Sequence, residues 1–202
     1  MHRKLAILLV VLAGAAIYWW TRPRAPSGID ELPSDLDQCR ENLREIYAGL
    51  LDYKAKLGGP PSGSGVAFFG ELVSSGIWEN TRVSLRRLTC PGPGAEPMPD
   101  GTNFKDLAAL GPNASAYAGR NTRDFPLAKF PSGGAEIQAL VACDDAHGMN
   151  HEGALNVLYS DGSVRTLQLA SLIADGTLPA GTTTIPVGPD SPIPELRTLA
   201  GD

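Results

Sequence analysis

The chain is poor in cysteine, in charge and in the motifs that mark enzymes. It contains 3 Cys, and 19% of its residues are charged. Because the cysteine count is odd, at most one internal disulfide forms and one thiol stays free. The sequence has no Gly-x-Ser-x-Gly, no His-Glu-x-x-His and no phosphate-binding loop. We therefore expect a protein that is not an enzyme.

Basic residues are also in deficit. Lys and Arg number 17 against 22 Asp and Glu, which gives a formal net charge of −5. Four of the basic residues lie near the N-terminus, at Arg3, Lys4, Arg22 and Arg24, so the rest of the chain is more acidic still. Nucleic-acid binding depends on cationic contacts with phosphate, and we expect no nucleic acid among the partners.

A single long apolar run opens the chain. Residues 5–20 carry no charge and end in Tyr18-Trp19-Trp20, and as a helix they would be about 24 Å long. A cleaved signal peptide would use the small residues Ala13-Gly14-Ala15 as its cleavage site. A retained anchor accounts better for aromatic and basic residues at the far end of the run. We predict a membrane anchor over residues 1–22 and a Pro-rich linker over 23–33.

The next segment has the pattern of an amphipathic helix. Ser34 is a suitable N-cap, and Gly58-Gly59 followed by Pro60 predicts the end of the helix. With about three heptads and no sustained charge pairing, a core helix is favoured over a coiled coil. The predicted apolar stripe comprises Leu36, Cys39, Leu43, Ile46, Tyr47, Leu50, Leu51, Tyr53 and Leu57.

A hairpin is predicted near residue 161. Two short β-prone runs, 156–160 and 163–167, flank the dipeptide Asp161-Gly162, which suits a two-residue type I′ turn. Residues 136–143 alternate in the manner of a preceding strand. We therefore predict a three-stranded antiparallel meander that packs on the long helix. A two-residue loop would place Leu155, Val157, Tyr159, Val164 and Thr166 on one face.

The hairpin and the segment before it resemble a known bacterial family. His151 is followed after nine residues by Asp161-Gly162, and the strand and turn read NVLYSDGSV from Asn156 onward. This pattern resembles the prepilin-type H-X9-DG proteins, which are type II secretion pseudopilin-like chains. Residues 39–59, CRENLREIYAGLLDYKAKLGG, resemble the segment that follows the membrane helix in that family.

The resemblance implies an α+β, pilin-like fold. After an N-terminal membrane helix, one long amphipathic helix would pack on a small antiparallel β-meander with irregular loops. The pilin-like globular domain would cover residues 34–176. The remaining residues, 177–202, contain five prolines and few large apolar residues, so we expect an extended or mobile tail.

The resemblance also implies a function. It predicts a membrane-anchored pseudopilin-like structural protein of a bacterial type II secretion system or a related envelope assembly. The chain would cross the inner membrane once, with its globular domain in the periplasm, and its partners would be the membrane, other pseudopilins or secretion-system components. The usual prepilin leader is not recognisable, and Pro23, Pro26 and Pro33 follow the apolar run. These features favour the alternative, a stand-alone periplasmic binding module that takes a ligand such as a divalent cation.

Potential metal ligands are concentrated just before the hairpin. Cys143, Asp144, Asp145, His147 and His151 lie within nine residues, and such donors bind zinc or another divalent ion. His-x₃-His spacing converges on a metal in a helix, however, and Gly148 with Asn150 disfavours a helix here.

A second metal hypothesis rests on the resemblance alone. Oxygen-rich loops of major pseudopilins bind calcium, which implies Asp144, Asp145 and Asp161 as ligands. The purely structural alternative is that His151 hydrogen-bonds loop backbone to fix the approach to the hairpin and that Asp144 and Asp161 cap turns.

The pairing of Cys39, Cys90 and Cys143 is open. A bridge between Cys90 and Cys143 would tie the irregular middle of the chain to the sheet. The resemblance implies instead a bridge between Cys39 and Cys90. A periplasmic location would allow either bridge to persist.

Overall fold

The long helix begins and ends where the sequence predicts. In the computed structural model, which describes residues 34–95, 97–110, 114–143 and 148–201, helix α1 spans Asp35–Leu57. The Ser34 hydroxyl accepts a hydrogen bond from the Asp37 backbone N–H at 3.2 Å. At the other end Gly58 has φ +88° and donates its N–H to the Lys54 carbonyl, which is the left-handed cap expected of glycine.

One side of α1 supplies the centre of the core. Its fully buried apolar residues are Cys39, Leu43, Ile46 and Leu50. The prediction for Leu57 is wrong, since this side chain is 52% exposed. Leu57 is the last residue of the helix. The predicted apolar stripe extends one turn further along the helix than the core does.

The helix packs against an antiparallel sheet of five strands. The order across the sheet is β4-β3-β2-β1-β5, and every neighbouring pair is antiparallel. The α+β class and the meander β2-β3-β4 are therefore confirmed, with two strands added at one edge. The strands are β1 Tyr117–Arg120, β2 Ala139–Cys143, β3 Ala154–Tyr159, β4 Val164–Gln168 and β5 Leu199–Ala200.

Three shorter helices complete the fold. Helix α2 (Val66–Ser74) packs on β1 and on α1, helix α3 (Arg82–Arg87) also contacts α1, and helix α4 (Leu169–Ala174) follows β4 directly. No helix in the described part of the chain is long and apolar enough to span a membrane. The predicted anchor and linker, residues 1–33, lie outside the described residues.

The register of the predicted hairpin is wrong by one residue. Leu158 lies opposite Val164, and the Tyr159 N–H donates to the Ser163 carbonyl at 2.9 Å. The loop therefore has three residues, with Gly162 at φ +84°. Asp-Gly fits this loop as well as a type I′ turn. Because side chains alternate, the slip moves Val164 and Thr166 to the face opposite Leu155, Val157 and Tyr159.

Gly162 is required by both its backbone conformation and its neighbour. A Cβ atom added there would lie 2.6 Å from Cε1 of Tyr47. We expect Gly162→Ala to lower the free energy of unfolding by about 2–3 kcal/mol, because strain at positive φ adds to the displacement of Tyr47. Gly176→Ala is the matched control, since Gly176 has φ +79° with nothing within 4 Å of such an atom. Equal losses for the two variants in urea unfolding would contradict a role for the Tyr47 contact.

The C-terminal segment is part of the core, which corrects the expectation of an extended or mobile tail over 177–202. Arg120 is 2% exposed, and its Nη1 donates to the Ala139 carbonyl and to the Thr198 hydroxyl. Strand β5 pairs with β1 at the sheet edge. Large apolar residues occur singly in this segment and are separated by prolines and polar residues. The sequence therefore has no apolar periodicity that would predict their burial. Those buried in the core are Leu178, Ile185, Ile193, Leu196 and Leu199.

Candidate metal centre

Three cysteines and one histidine meet where α1 contacts the sheet. Cys39 lies in the second turn of α1, Cys90 follows α3, Cys143 ends β2 and His151 precedes β3. Their four ligand atoms all lie within 4.8 Å of one another, and all four residues are buried. The folded chain thus joins four sequence segments at one group of sulfur and nitrogen donors.

The distances within this Cys3His cluster suit a single tetrahedral ion. The sulfur atoms of Cys39 and Cys143 are 3.4 Å apart, those of Cys90 and Cys143 3.7 Å, and those of Cys39 and Cys90 4.0 Å. The Cys90 sulfur lies 3.1 Å from Nε2 of His151. Tetrahedral Zn–S and Zn–N bonds would place sulfurs about 3.8 Å apart and sulfur and nitrogen about 3.5 Å apart. These four separations differ from the ideal values by up to about 0.4 Å, and every pair of donor atoms in the cluster lies within 4.8 Å.

The second nitrogen of His151 is held by a carboxylate. Nδ1 lies 2.6 Å from Oδ2 of Asp35 in the first turn of α1. When the neutral ring carries its proton on Nδ1 and donates it to Asp35, an unprotonated Nε2 faces the sulfurs, which is the tautomer that binds a metal. The Asp35 side chain is 42% exposed whereas that of His151 is 2% exposed. The carboxylate therefore connects a buried ligand to the protein surface.

A further hydrogen bond is directed at one of the sulfur atoms. The Tyr117 hydroxyl donates to the Cys39 sulfur at 3.5 Å. Donors of this kind stabilise thiolates, the form in which cysteine binds a metal.

The Cys90 loop approaches the His151 loop so closely that only glycine fits. A Cβ atom at Gly92 would lie 2.0 Å from the Asn150 carbonyl oxygen, and one at Gly94 would lie 1.9 Å from the Met149 carbonyl oxygen. The Gly94 N–H donates to the Asn150 carbonyl at 3.2 Å. These contacts hold Cys90 and His151 in register with each other.

The electrostatics of the cluster favour a bound cation. Hydrogen bonds from Cys143 and Cys90 lower the pKa of the Cys39 thiol, whereas burial raises the pKa of Cys143 well above its ordinary value. Burial alone would lower the pKa of His151, but hydrogen bonds with Cys39 and Asp35 outweigh it and leave that pKa raised. Three buried thiolates require a compensating positive charge.

The described residues include only two of the potential metal ligands that the sequence groups between residues 143 and 151. Cys143 and His151 belong to the cluster, whereas Asp144, Asp145 and His147 lie outside the described residues.

Asp161 caps its own turn. Its Oδ1 accepts hydrogen bonds from the Ser163 N–H at 2.9 Å and the Ser163 hydroxyl at 2.6 Å. It is not part of any metal-ligand group found among the described residues. Calcium prefers oxygen ligands, so a cluster of sulfur and nitrogen donors gives the calcium hypothesis no specific support.

Asn156, which lies between His151 and the Asp161-Gly162 turn, has a structural role. It is fully buried, and its Nδ2 donates to the Leu36 carbonyl at 3.0 Å while its Oδ1 accepts from the Thr166 hydroxyl at 2.7 Å. Asn156 thereby fastens the start of α1 to β3, beside the metal ligands.

Sequence reasoning missed Cys39, Cys90 and Asp35 as members of the site. Cys39 and Cys90 are 51 residues apart, Cys90 and Cys143 are 53 apart, and Asp35 is 116 residues from its partner His151, so local spacing could not group them. One signal was available. Three cysteines and a motif histidine make a full zinc ligand set, and Cys90 is followed by Pro-Gly-Pro-Gly, a composition suited to a tight loop around a ligand.

Asp35 offers a test of this geometry. We expect Asp35→Asn to weaken zinc binding by about 10- to 100-fold, because the ring of His151 loses its charged partner. Asp37→Asn is the matched control, since Asp37 lies in the same turn and pairs with Ser34 and Arg40 rather than with the cluster. Affinities would be measured by competition with a chromogenic chelator. Equal affinities for the two variants would show that the Asp35 contact does not act on the metal.

Comparison with protein-family models, with curated proteins and with solved structures finds no match for this chain.

Proposed function

We propose that the chain is a structural protein, not an enzyme, and that one Zn²⁺ bound by Cys39, Cys90, Cys143 and His151 holds its long helix on its sheet. The observation that carries the proposal is the convergence of four buried donor atoms within 4.8 Å. Three thiolates and an imidazole are a ligand set of structural zinc sites. An iron–sulfur cluster would need its cysteine sulfurs spread around several metal atoms, and here they are 3.4 to 4.0 Å apart.

The closed character of the cluster supports a structural role. Catalytic zinc sites keep a coordination position open for water or substrate, whereas this set supplies four protein donors. Each donor comes from a different segment, so the ion would act as a cross-link between α1, the Cys90 loop, β2 and the approach to β3.

A thiol-enzyme reading is less well supported. Cys90, His151 and Asp35 lie in the order nucleophile, base and orienting carboxylate, with separations of 3.1 and 2.6 Å. The Cys90 residue is only 4% exposed, however, and two more sulfurs lie within 4.0 Å of its own. A substrate carbonyl would have to enter the space that those sulfurs occupy.

For the whole chain we propose a pilin-like domain on a membrane tether, serving as a pseudopilin-like subunit of a type II secretion or related envelope assembly. A capped α1 packed on an antiparallel meander supports this, as do the positions of His151 and Gly162 at the start of β3 and in the β3–β4 loop. The inner membrane and other pseudopilins or secretion components would be its partners. A stand-alone periplasmic binding module with the same fold is the alternative.

The metal proposal is tested on the full chain purified in mild detergent without added chelator. We expect one zinc per chain by elemental analysis. After exchange with Co²⁺ we expect intense thiolate-to-cobalt charge-transfer bands and visible bands of a tetrahedral site. Asp161→Ala serves as the control that keeps its metal. Calcium bound in place of zinc, or a chain that takes up neither Zn²⁺ nor Co²⁺, would overturn the proposal.

The assembly proposal needs a separate experiment. Chemical crosslinking in intact bacterial cells, followed by affinity purification from membranes, should recover other pseudopilin-like or secretion-system proteins. Recovery of the chain from the membrane without such proteins would favour the stand-alone binding module.

A further inference from the structure

The three sulfur atoms of the Cys3His cluster are close enough to react with one another. No pair is bonded, since all three cysteines are free, but the separation of 3.4 Å between Cys39 and Cys143 exceeds a disulfide bond by only about 1.4 Å. Rotation of the Cys39 and Cys143 side chains can close this gap.

We infer that Cys39 and Cys143 are a site of reversible disulfide formation, and that oxidation of this pair by a peroxide ejects the metal. The inference rests on the proposed zinc centre and concerns its regulation. It selects one of three possible pairs, and it differs from the Cys39–Cys90 bridge that the sequence resemblance implies.

The geometry distinguishes Cys143 from Cys90 as the partner of Cys39. From the Cys39 sulfur, the Cys143 sulfur is 3.4 Å away and the Cys90 sulfur 4.0 Å away. Cys90 also lies 3.1 Å from Nε2 of His151. No hydrogen bond joins Cys143 to His151 among the described residues, so the histidine constrains Cys143 less than it constrains Cys90.

A surface cavity of about 450 Å³ lies beside the segments that carry Cys39 and Cys90. Its lining includes Gln38, the chain neighbour of Cys39, and Thr89 and Pro91, the chain neighbours of Cys90, together with Asn42 of α1. Cys39 itself is fully buried, so a small neutral oxidant such as hydrogen peroxide would have to pass between these residues to reach its sulfur.

The reaction balances in two steps. The Cys39 thiolate attacks one peroxide oxygen, the O–O bond breaks, and a sulfenic acid and hydroxide form. The Cys143 thiolate then attacks the Cys39 sulfur, the S–O bond breaks and a second hydroxide leaves. Two thiolates have lost two electrons, and one peroxide has gained them. Zn²⁺ then retains only Cys90 and His151 as good ligands, and it dissociates.

The test uses the reduced, zinc-loaded full chain. Its zinc content is measured first, and hydrogen peroxide is then added at a small molar excess while a chromogenic indicator records released zinc. We expect zinc release in step with the loss of two hydrogens from the intact mass. Peptide mapping without reduction should find Cys39 joined to Cys143, and a dithiol reductant with added zinc should restore the starting state.

Two variants keep the assignment falsifiable if the metal-free fold is weakened. Metal-free Cys90→Ser should still form the Cys39–Cys143 disulfide. Metal-free Cys143→Ser can form only a Cys39–Cys90 disulfide, and we expect this reaction to be at least tenfold slower. Zinc that stays bound through complete peroxide treatment, or release accompanied by a bridge that includes Cys90, would overturn the inference while leaving the zinc proposal intact. A reduced chain that contains no zinc and binds none on addition overturns both.

Discussion

Cys90→Ser should abolish tight zinc binding and lower the free energy of unfolding by about 4 kcal/mol when zinc is present at about a thousand times its dissociation constant. This figure is the stabilisation that a ligand of the native state contributes by mass action at such a concentration. Serine matches cysteine in shape, and its hydroxyl is a much weaker zinc ligand than a thiolate. Urea unfolding with and without a chelator measures the effect, provided that the transition is two-state.

The chelator supplies the decisive comparison. Removing zinc from the unsubstituted chain should lower its stability to within about 1 kcal/mol of Cys90→Ser, the remainder being the cost of a buried hydroxyl. The free energy of unfolding of Cys90→Ser should be the same with and without the chelator. An unsubstituted chain whose unfolding midpoint is the same with and without the chelator would contradict a structural role for the ion.

The helix and hairpin were predictable because their signals are local. Ser34 and Gly58 mark the two ends of α1, and the residues that they enclose have one apolar side. The hairpin position was set by Asp161-Gly162, but its register was not. Loops of two and three residues both accept this dipeptide, so the dipeptide alone does not decide the register. In the structure Tyr47 packs against Gly162, a tertiary contact that local sequence does not predict.

The Cys3His cluster was half predictable for the same physical reason. Cys143 and His151 lie in one loop region and were recognised as potential ligands. Cys39 and Cys90 reach the cluster only because α1 packs on the sheet and the Gly92 loop lies against residues 149–151. Asp35 is 116 residues away from His151 in the chain. No local sequence pattern predicts the hydrogen bond between them.

The buried C-terminal segment leads to the second large expected effect. Removing residues 177–202 should leave a chain without cooperative unfolding, because five buried aliphatic side chains and strand β5 are lost together. Each fully buried Leu or Ile is worth about 1.5–3 kcal/mol, and the sum rivals the whole stability of about 5–15 kcal/mol of a typical domain. The truncation also exposes the buried guanidinium of Arg120, whose pKa burial lowers to about 10, and removes its Thr198 partner.

A graded variant separates this core role from a general cost of shortening the chain. Leu196 is fully buried, and Leu196→Ala should lower the free energy of unfolding by about 2–5 kcal/mol through lost burial and the cavity left behind. Leu57→Ala is the matched control at a 52% exposed position, with an expected loss below about 1 kcal/mol. If the truncated chain unfolds cooperatively with unchanged stability, and Leu196→Ala costs no more than Leu57→Ala, then the segment does not contribute to the core.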